Sequence, residues 1–169
     1  MTPLPSQTVG PFFHFGLTER AMEESAGERV RLTLRLLDGA GLPVPDGMFE
    51  LWQADATGAY SGPRFGRLAT DGDGTCTFET IRPGGVPGDD GSWQSPHINV
   101  IVFSRGLLTH LFTRIYFEDD PSLGTDPALA LVPAERRYTL IAHRCRDTDG
   151  EWTHDINMQG DDETVFFEL

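Results

Sequence analysis

The sequence predicts an all-β fold, an antiparallel β-sandwich with an irregular N-terminal arm and short helical segments. Three observations lead there. Apolar and polar residues alternate over short segments, the period of a half-buried strand. Clusters of Gly, Pro and Asp divide those segments at regular spacing, enough for eight or so strands. The 169 residues contain no repeat and no long linker, so length sets the expectation of one domain, 1–169, with a core of its own.

Each element follows in chain order. Residues 1–28 read as an arm laid on a surface, in which "TERAMEES" (18–25) is a short helix that Thr18 can cap. "RVRLTLRLLD" (29–38) alternates strictly, with Val30, Leu32, Leu34 and Leu36 on one face and arginines and Thr33 on the other. "DGAGLPVPDG" (38–47) is turn chemistry, and "MFELWQAD" (48–55) is a second strand. "DGDG" (71–74) reads as a hairpin turn leading into the strand "TCTFETI" (75–81). "HINVIVFS" (97–104) and "HLFTRIYF" (110–117) pair across an Arg105–Gly106 turn, and residues 126–131 form a helical turn. "RRYTLIAHRC" (136–145) and "EWTHDINM" (151–158) read as another hairpin, and "TVFFEL" (164–169) as a last strand.

Composition excludes several functions. The formal net charge of −13 lacks the basic footprint that nucleic acid or an anionic membrane needs. All thirteen basic residues are arginine, so Schiff-base chemistry, pyridoxal phosphate and the P-loop lysine are ruled out. There is no apolar run of transmembrane length, and the first residues lack a basic stretch before an apolar one. The expectation is a soluble cytoplasmic protein. Cys76 and Cys145 sit apart in strand-like segments and read as free thiols rather than a disulfide or a metal knuckle. "DGDG" lacks the acidic spacing and closing Glu of a calcium loop. There is no G-x-S-x-G, Gly-rich phosphate loop or H-E-x-x-H. Trp52 and Trp93 read as core or interface aromatics. His14 belongs to the arm, and His110, His143 and His154 lack ligand spacing.

"SWQSPHINVIVF" (92–103) raises a sharper question. On a strand His97 and Asn99 point the same way, where two imidazoles would make a metal pincer. Here one of the two is an amide.

Taken with "PLPSQTVGPFF", "LWQADATGAY", "FGRLATDGDGTCTFETIRPG", "SPHINVIVFSRG" and "TRIYFEDD", that stretch resembles the intradiol ring-cleaving dioxygenases over nearly the whole chain. The resemblance implies a ferric ion held, in catalytic chains, by two tyrosinates and two histidines. Hard phenolates favour Fe(III) and imidazoles complete an open site. The tyrosine of the G-x-Y turn is kept as Tyr60. The P-G-x-Y-P tyrosine is replaced by Val86 in "PGGVP". The H-x-H pair is His97 with Asn99, and the arginine expected three residues before it is Gln94. Half of the ligand set is gone, so no metal and no catalytic residue is expected in this chain.

The resemblance then implies the noncatalytic α chain of a two-chain enzyme. Its β subunit would carry Fe(III) and cleave 3,4-dihydroxybenzoate with O2 to 3-carboxy-cis,cis-muconate in an assembly of αβ units. The arm would line the partner's pocket through Thr8, Gly10, Pro11 and Phe12, with Arg105 near the entrance. A stand-alone ligand-binding β-sandwich derived from such an enzyme is the alternative. An active homo-oligomer with altered ligands is opposed by Val86 and Asn99.

Overall fold

The computed structural model describes residues 10, 13, 16–17, 20–22, 26–61, 64–88 and 91–168. Strand β1 (Arg29–Leu37) buries Val30, Leu32, Leu34 and Leu36 and turns Arg31 and Arg35 to the other face, as the alternation requires. β2 (Gly47–Gln53), β3 (Phe65–Ala69), β4 (Thr75–Ile81), the short pair β5 (Val86–Pro87) and β6 (Trp93–Gln94), β7 (His97–Ser104) and β8 (Leu111–Phe117) follow. A helical stretch intervenes: the 3₁₀ turn Leu123–Thr125, α1 (Pro127–Leu131) and the 3₁₀ segment Ala134–Leu140. β9 (Ile141–Arg144) and β10 (Glu151–Asn157) close the order.

Eight strands form one hydrogen-bonded sheet in the order β3-β2-β7-β8-β9-β10-β1-β4. It curls until its end strands, β3 and β4, pack together. The sheet is therefore close to a closed barrel rather than two clearly separate layers, and this corrects the sandwich expectation. The strands are not all antiparallel: β1 with β10 and β8 with β9 pair in parallel. Inside, Leu32, Leu34, Phe78 and Trp152 from one half meet Phe49, Leu51, Val100 and Phe117 from the other. Trp152 stands edge-on to Phe117 at 5.0 Å, the favoured geometry for two aromatic quadrupoles. Among the described residues, no helix is long and apolar enough to cross a membrane.

Other expectations change in detail. The strand at 65–69 was not legible, because Gly66 interrupts it. A Cβ there would stand 2.4 Å from Met22, where the arm crosses. The 71–74 turn is not a hairpin. β3 and β4 lie at opposite ends of the sheet order, and the turn carries the chain between them. Asp71 builds it by accepting from the Asp73 and Thr75 amides, and Gly74 supplies φ +71°. Residues 134–140 are 3₁₀ rather than strand, tied down by Arg136 to the Glu163 carbonyl and Arg137 to the Val132 carbonyl. Of the predicted hairpin only His143 and Arg144 pair with β10, while Ile141 and Ala142 pair in parallel with β8. Residues 164–168 form no strand. Thr164 bonds to Asn157, Val165 to Thr113 and Thr139, and Phe167 to Phe112, so no single ladder develops. Of the 18–25 helix, Thr18 and four others lie outside the described residues. Arg20, which is described, pairs with Arg67 in extended bridging. Cys76 is a buried free thiol pushed up to about 12, by burial first and then the Asp71 charge, so it is chemically inert. Cys145, also a free thiol, is half-buried just past β9.

Candidate functional site

On β7 the residues Ile98, Val100 and Val102 enter the core, so period two sends His97 and Asn99 to the opposite face. There the register lines up Trp52 of β2, Asn99 of β7 and Arg114 of β8 in one row across three strands. His97 lies opposite Tyr116, their rings 5.8 Å apart.

Tyr60 reaches this row from the loop after β2. Asp55 shapes that loop by accepting from the Thr57 and Ala59 amides and the Thr57 and Ser61 hydroxyls. Those hydrogen bonds, Ser61 first, hold its carboxyl well below the usual carboxylate range. Gly58, at φ +87°, lies on the backbone of the "PGG" segment; a Cβ there would fall 1.9 Å from the Gly85 carbonyl oxygen. This contact brings the segment carrying Val86 beside the one carrying Tyr60. Val86 pairs with Gln94 across β5 and β6. Gln94 accepts from Arg114 Nη1 at 2.8 Å. Asn99 Nδ2 donates to the Tyr60 hydroxyl at 3.1 Å. Tyr60, Val86, Gln94, His97 and Asn99 therefore gather in one place.

His97 is buried. Its Nδ1 donates to the Ser95 carbonyl at 2.8 Å, which leaves Nε2 as a lone pair without a hydrogen-bond partner among the described residues. Burial pushes its pKa down to about 4, and the Arg114 charge adds to this. Behind it lies Asp126, 1% exposed. This carboxylate accepts from the Ser95 amide at 2.7 Å, the Leu129 amide at 2.8 Å and the Tyr116 hydroxyl at 3.2 Å, and it caps α1. Burial first and the Asp126 charge second raise the Tyr116 phenol above its ordinary range. Sequence reasoning missed Arg114, Tyr116 and Asp126. The first two lay in plain view in "TRIYF", but register alone assigns them to this face.

Around the row, Trp52, Tyr60 and Trp93 are 53%, 41% and 56% exposed, so neither tryptophan is a core residue. Trp52 and Tyr60 rings stand 4.8 Å apart. Trp93 lies over Gly85, where a Cβ would be 2.2 Å from the indole nitrogen.

The ferric ion implied by the resemblance does not suit these residues. Val86 offers no donor atom, and Asn99 turns an N–H toward the site and occupies the Tyr60 oxygen with it. Arg114 adds a positive charge. Two potential ligands, His97 and Tyr60, remain for an ion that needs anionic oxygen. Arg105 is elsewhere. It sits in the β7–β8 turn, roughly 25 Å along the strand from His97 at about 3.3 Å per residue. Its side chain, 71% exposed, pairs with Asp46 at 2.7 Å. Gly10 adopts φ +81°, and a Cβ added there would meet nothing within 4 Å among the described residues. Thr8, Pro11 and Phe12 lie outside the described residues.

Comparison with known proteins follows this geometry. A family model described as Dioxygenase matches residues 10–160. The chain is similar to the protocatechuate 3,4-dioxygenase alpha chain of Burkholderia cepacia, 40% identical, covering 98% of this chain and 96% of that one. It is also similar to the beta chain from the same organism, 34% identical over 94% of this chain and 77% of that one. Among solved structures, the dioxygenase domain of a carbohydrate-binding fusion from Streptomyces sp. SirexAA-E superposes with a TM-score of 0.68 at 28% identity, covering 94% of this chain and 99% of that domain. The kept and replaced motifs and this coverage lead to one conclusion: the chain belongs to the intradiol ring-cleavage dioxygenase family.

Proposed function

We propose that this chain is the alpha subunit of a protocatechuate 3,4-dioxygenase. In that enzyme, 3,4-dihydroxybenzoate and O2 yield 3-carboxy-cis,cis-muconate at a ferric site carried by the beta subunit. One observation carries the reading: near full-length likeness to alpha chains coincides with a ligand set whose donors have become Val86 and Asn99. The likeness to a beta chain supports a pairing of two homologous chains. Residues 1–169 act as one domain, and the arm, 1–28, packs on the partner.

In this reading the chain contributes surface rather than chemistry. Gly10, able to hold φ +81°, lets the arm's backbone approach a ligand closely. Pro11 stiffens the arm, and Thr8 and Phe12 add a hydroxyl and an aromatic wall. Arg105, charged and exposed, steers an aromatic carboxylate from the rim. The assembly works in the cytoplasm, with no nucleic acid or membrane partner.

The test is expression of this chain alone and with a beta-type chain carrying P-G-x-Y-P and H-x-H, followed by oxygen uptake with protocatechuate. Uptake in the iron-coloured pair and none from the single chain is expected. Full uptake from the single chain would overturn the reading.

A further inference from the structure

We propose that the Arg114 guanidinium stands in the electrostatic place of the metal ion, so that this chain excludes Fe(III) by a resident cation and not through missing ligands alone. The proposal rests on the noncatalytic reading above and deepens it. Arg114 lies in the same cross-strand row as Asn99, and its Nη1 donates to Gln94 at 2.8 Å. Its charge acts on the His97 ring and on the Tyr116 phenol. It therefore sits among the residues that the family resemblance assigns to the metal and its surroundings.

The replacements suit a guanidinium as well as they fail iron. Gln94 presents a carbonyl oxygen to an N–H donor. Asn99 presents an N–H, which a metal cannot use but the Tyr60 oxygen accepts. Among the described residues no carboxylate pairs with Arg114, and the nearby buried carboxylate, Asp126, is already held by two amides and a phenol. The Asp126 charge opposes that of Arg114 at both the His97 ring and the Tyr116 phenol without pairing with it, so the positive charge is only partly offset among the described residues. A trivalent ion brought beside it would be repelled in a half-buried setting, where water screens less than at the surface. Arginine also cannot shed its charge to make room, as a lysine can. One cation has replaced another, and the amides have followed.

The experiment restores the ligands with and without the guanidinium. The full-length chain is prepared from iron-supplemented cells as wild type, as Val86→Tyr/Asn99→His, and as that double variant carrying Arg114→Gln, Arg114→Met or Arg114→Lys. Iron per chain and the visible tyrosinate-to-Fe(III) band are read, with a thermal melt to confirm folding. The double variant is expected to stay iron-poor. Arg114→Gln, or Arg114→Met should the first fail to fold, is expected to raise iron about tenfold or more, and Arg114→Lys to leave it low because the charge is kept. Equal iron in the double variant and its neutral Arg114 derivatives, at any level, overturns the proposal. So does loading of the lysine variant to the level of the glutamine one. Stoichiometric iron in the wild type would instead sink the noncatalytic reading itself, and is distinguishable on that ground.

Discussion

At the scale of the residue, two buried histidines set an acid limit on this chain. His97 and His154 are both pushed from 6.5 down to about 4, burial being the leading cause in each. Their Nδ1 atoms bond to the Ser95 and Ile141 carbonyls, and each Nε2 is buried without a partner among the described residues. Between pH 6.5 and 4 the unfolded chain protonates both rings and the folded chain resists. The unfolded state then binds more protons, so stability is complete above 6.5 and falls as the pH drops toward 4. At about 1.4 kcal/mol per unit the loss is up to roughly 3 kcal/mol for each ring. Urea titrations at pH 7 and pH 4.5 should show it, and His154→Gln should lose visibly less across that interval than the wild type. An identical loss in both would show that His154 is not titrating. The same scale shows where the site was legible. Tyr60, Val86, Gln94, His97 and Asn99 were each readable through a short motif of the family resemblance. Arg114 and Asp126 reach His97 from 17 and 29 positions further along the chain, and no local motif connects them.

At the scale of the element, legibility followed the sheet period. β1 and β10 alternate cleanly and β4 nearly so, β7 is a short, mostly buried run between turn signals, and all four were readable to within a residue or so. β3 was not, since Gly66 answers to the arm rather than to the ladder. Residues 134–140 look strand-like, but their arginines are anchored to carbonyls of other segments, and that tertiary demand overrides local preference. The loops that build the site are governed by close backbone approach. Gly58 is the clearest case, combining φ +87° with a 1.9 Å Cβ clash against Gly85. Gly58→Ala should therefore cost at least about 2 kcal/mol and lower the melting temperature by roughly 4–8 °C. It should also free the Tyr60 loop, seen as a change in Trp52 and Tyr60 fluorescence. A substitution at Gly72, where an added Cβ would meet nothing within 4 Å among the described residues, is the control and should change little. Similar losses at both positions would mean that the Gly58–Gly85 contact does not hold the loop.

At the scale of the whole molecule, eight strands in one curled sheet need side-chain packing to hold the two halves together, because Cys76 and Cys145 are free and no disulfide joins them. The sequence showed the strands but not their order. The parallel pairings of β1 with β10 and β8 with β9 join segments far apart in the chain, and alternation carries no information about partners. Trp152 is the fastener. Its indole is 1% exposed on β10, meets Phe117 of β8 edge-on at 5.0 Å, and lies with that ring beneath the Arg82 guanidinium, 4.7 Å from the Phe117 centroid and 5.6 Å from its own. Arg82 is in turn held by Asp119 and Asp120 just beyond β8. The indole N–H has no hydrogen-bond partner among the described residues, so its contribution is packing and ring geometry rather than a polar bond. Trp152→Ala should cost about 3–5 kcal/mol through the cavity it leaves. Trp152→Phe keeps an aromatic ring and gives up no hydrogen bond, so it should cost only about 1–2 kcal/mol. Arg105→Ala breaks an exposed pair with Asp46 and should stay within about 1 kcal/mol. A double-mutant cycle of Trp152 and Phe117 should return a coupling of about 0.5–1.5 kcal/mol. A coupling near zero would move the fastening of the two halves away from this ring pair to the aliphatic core around Leu34 and Val100.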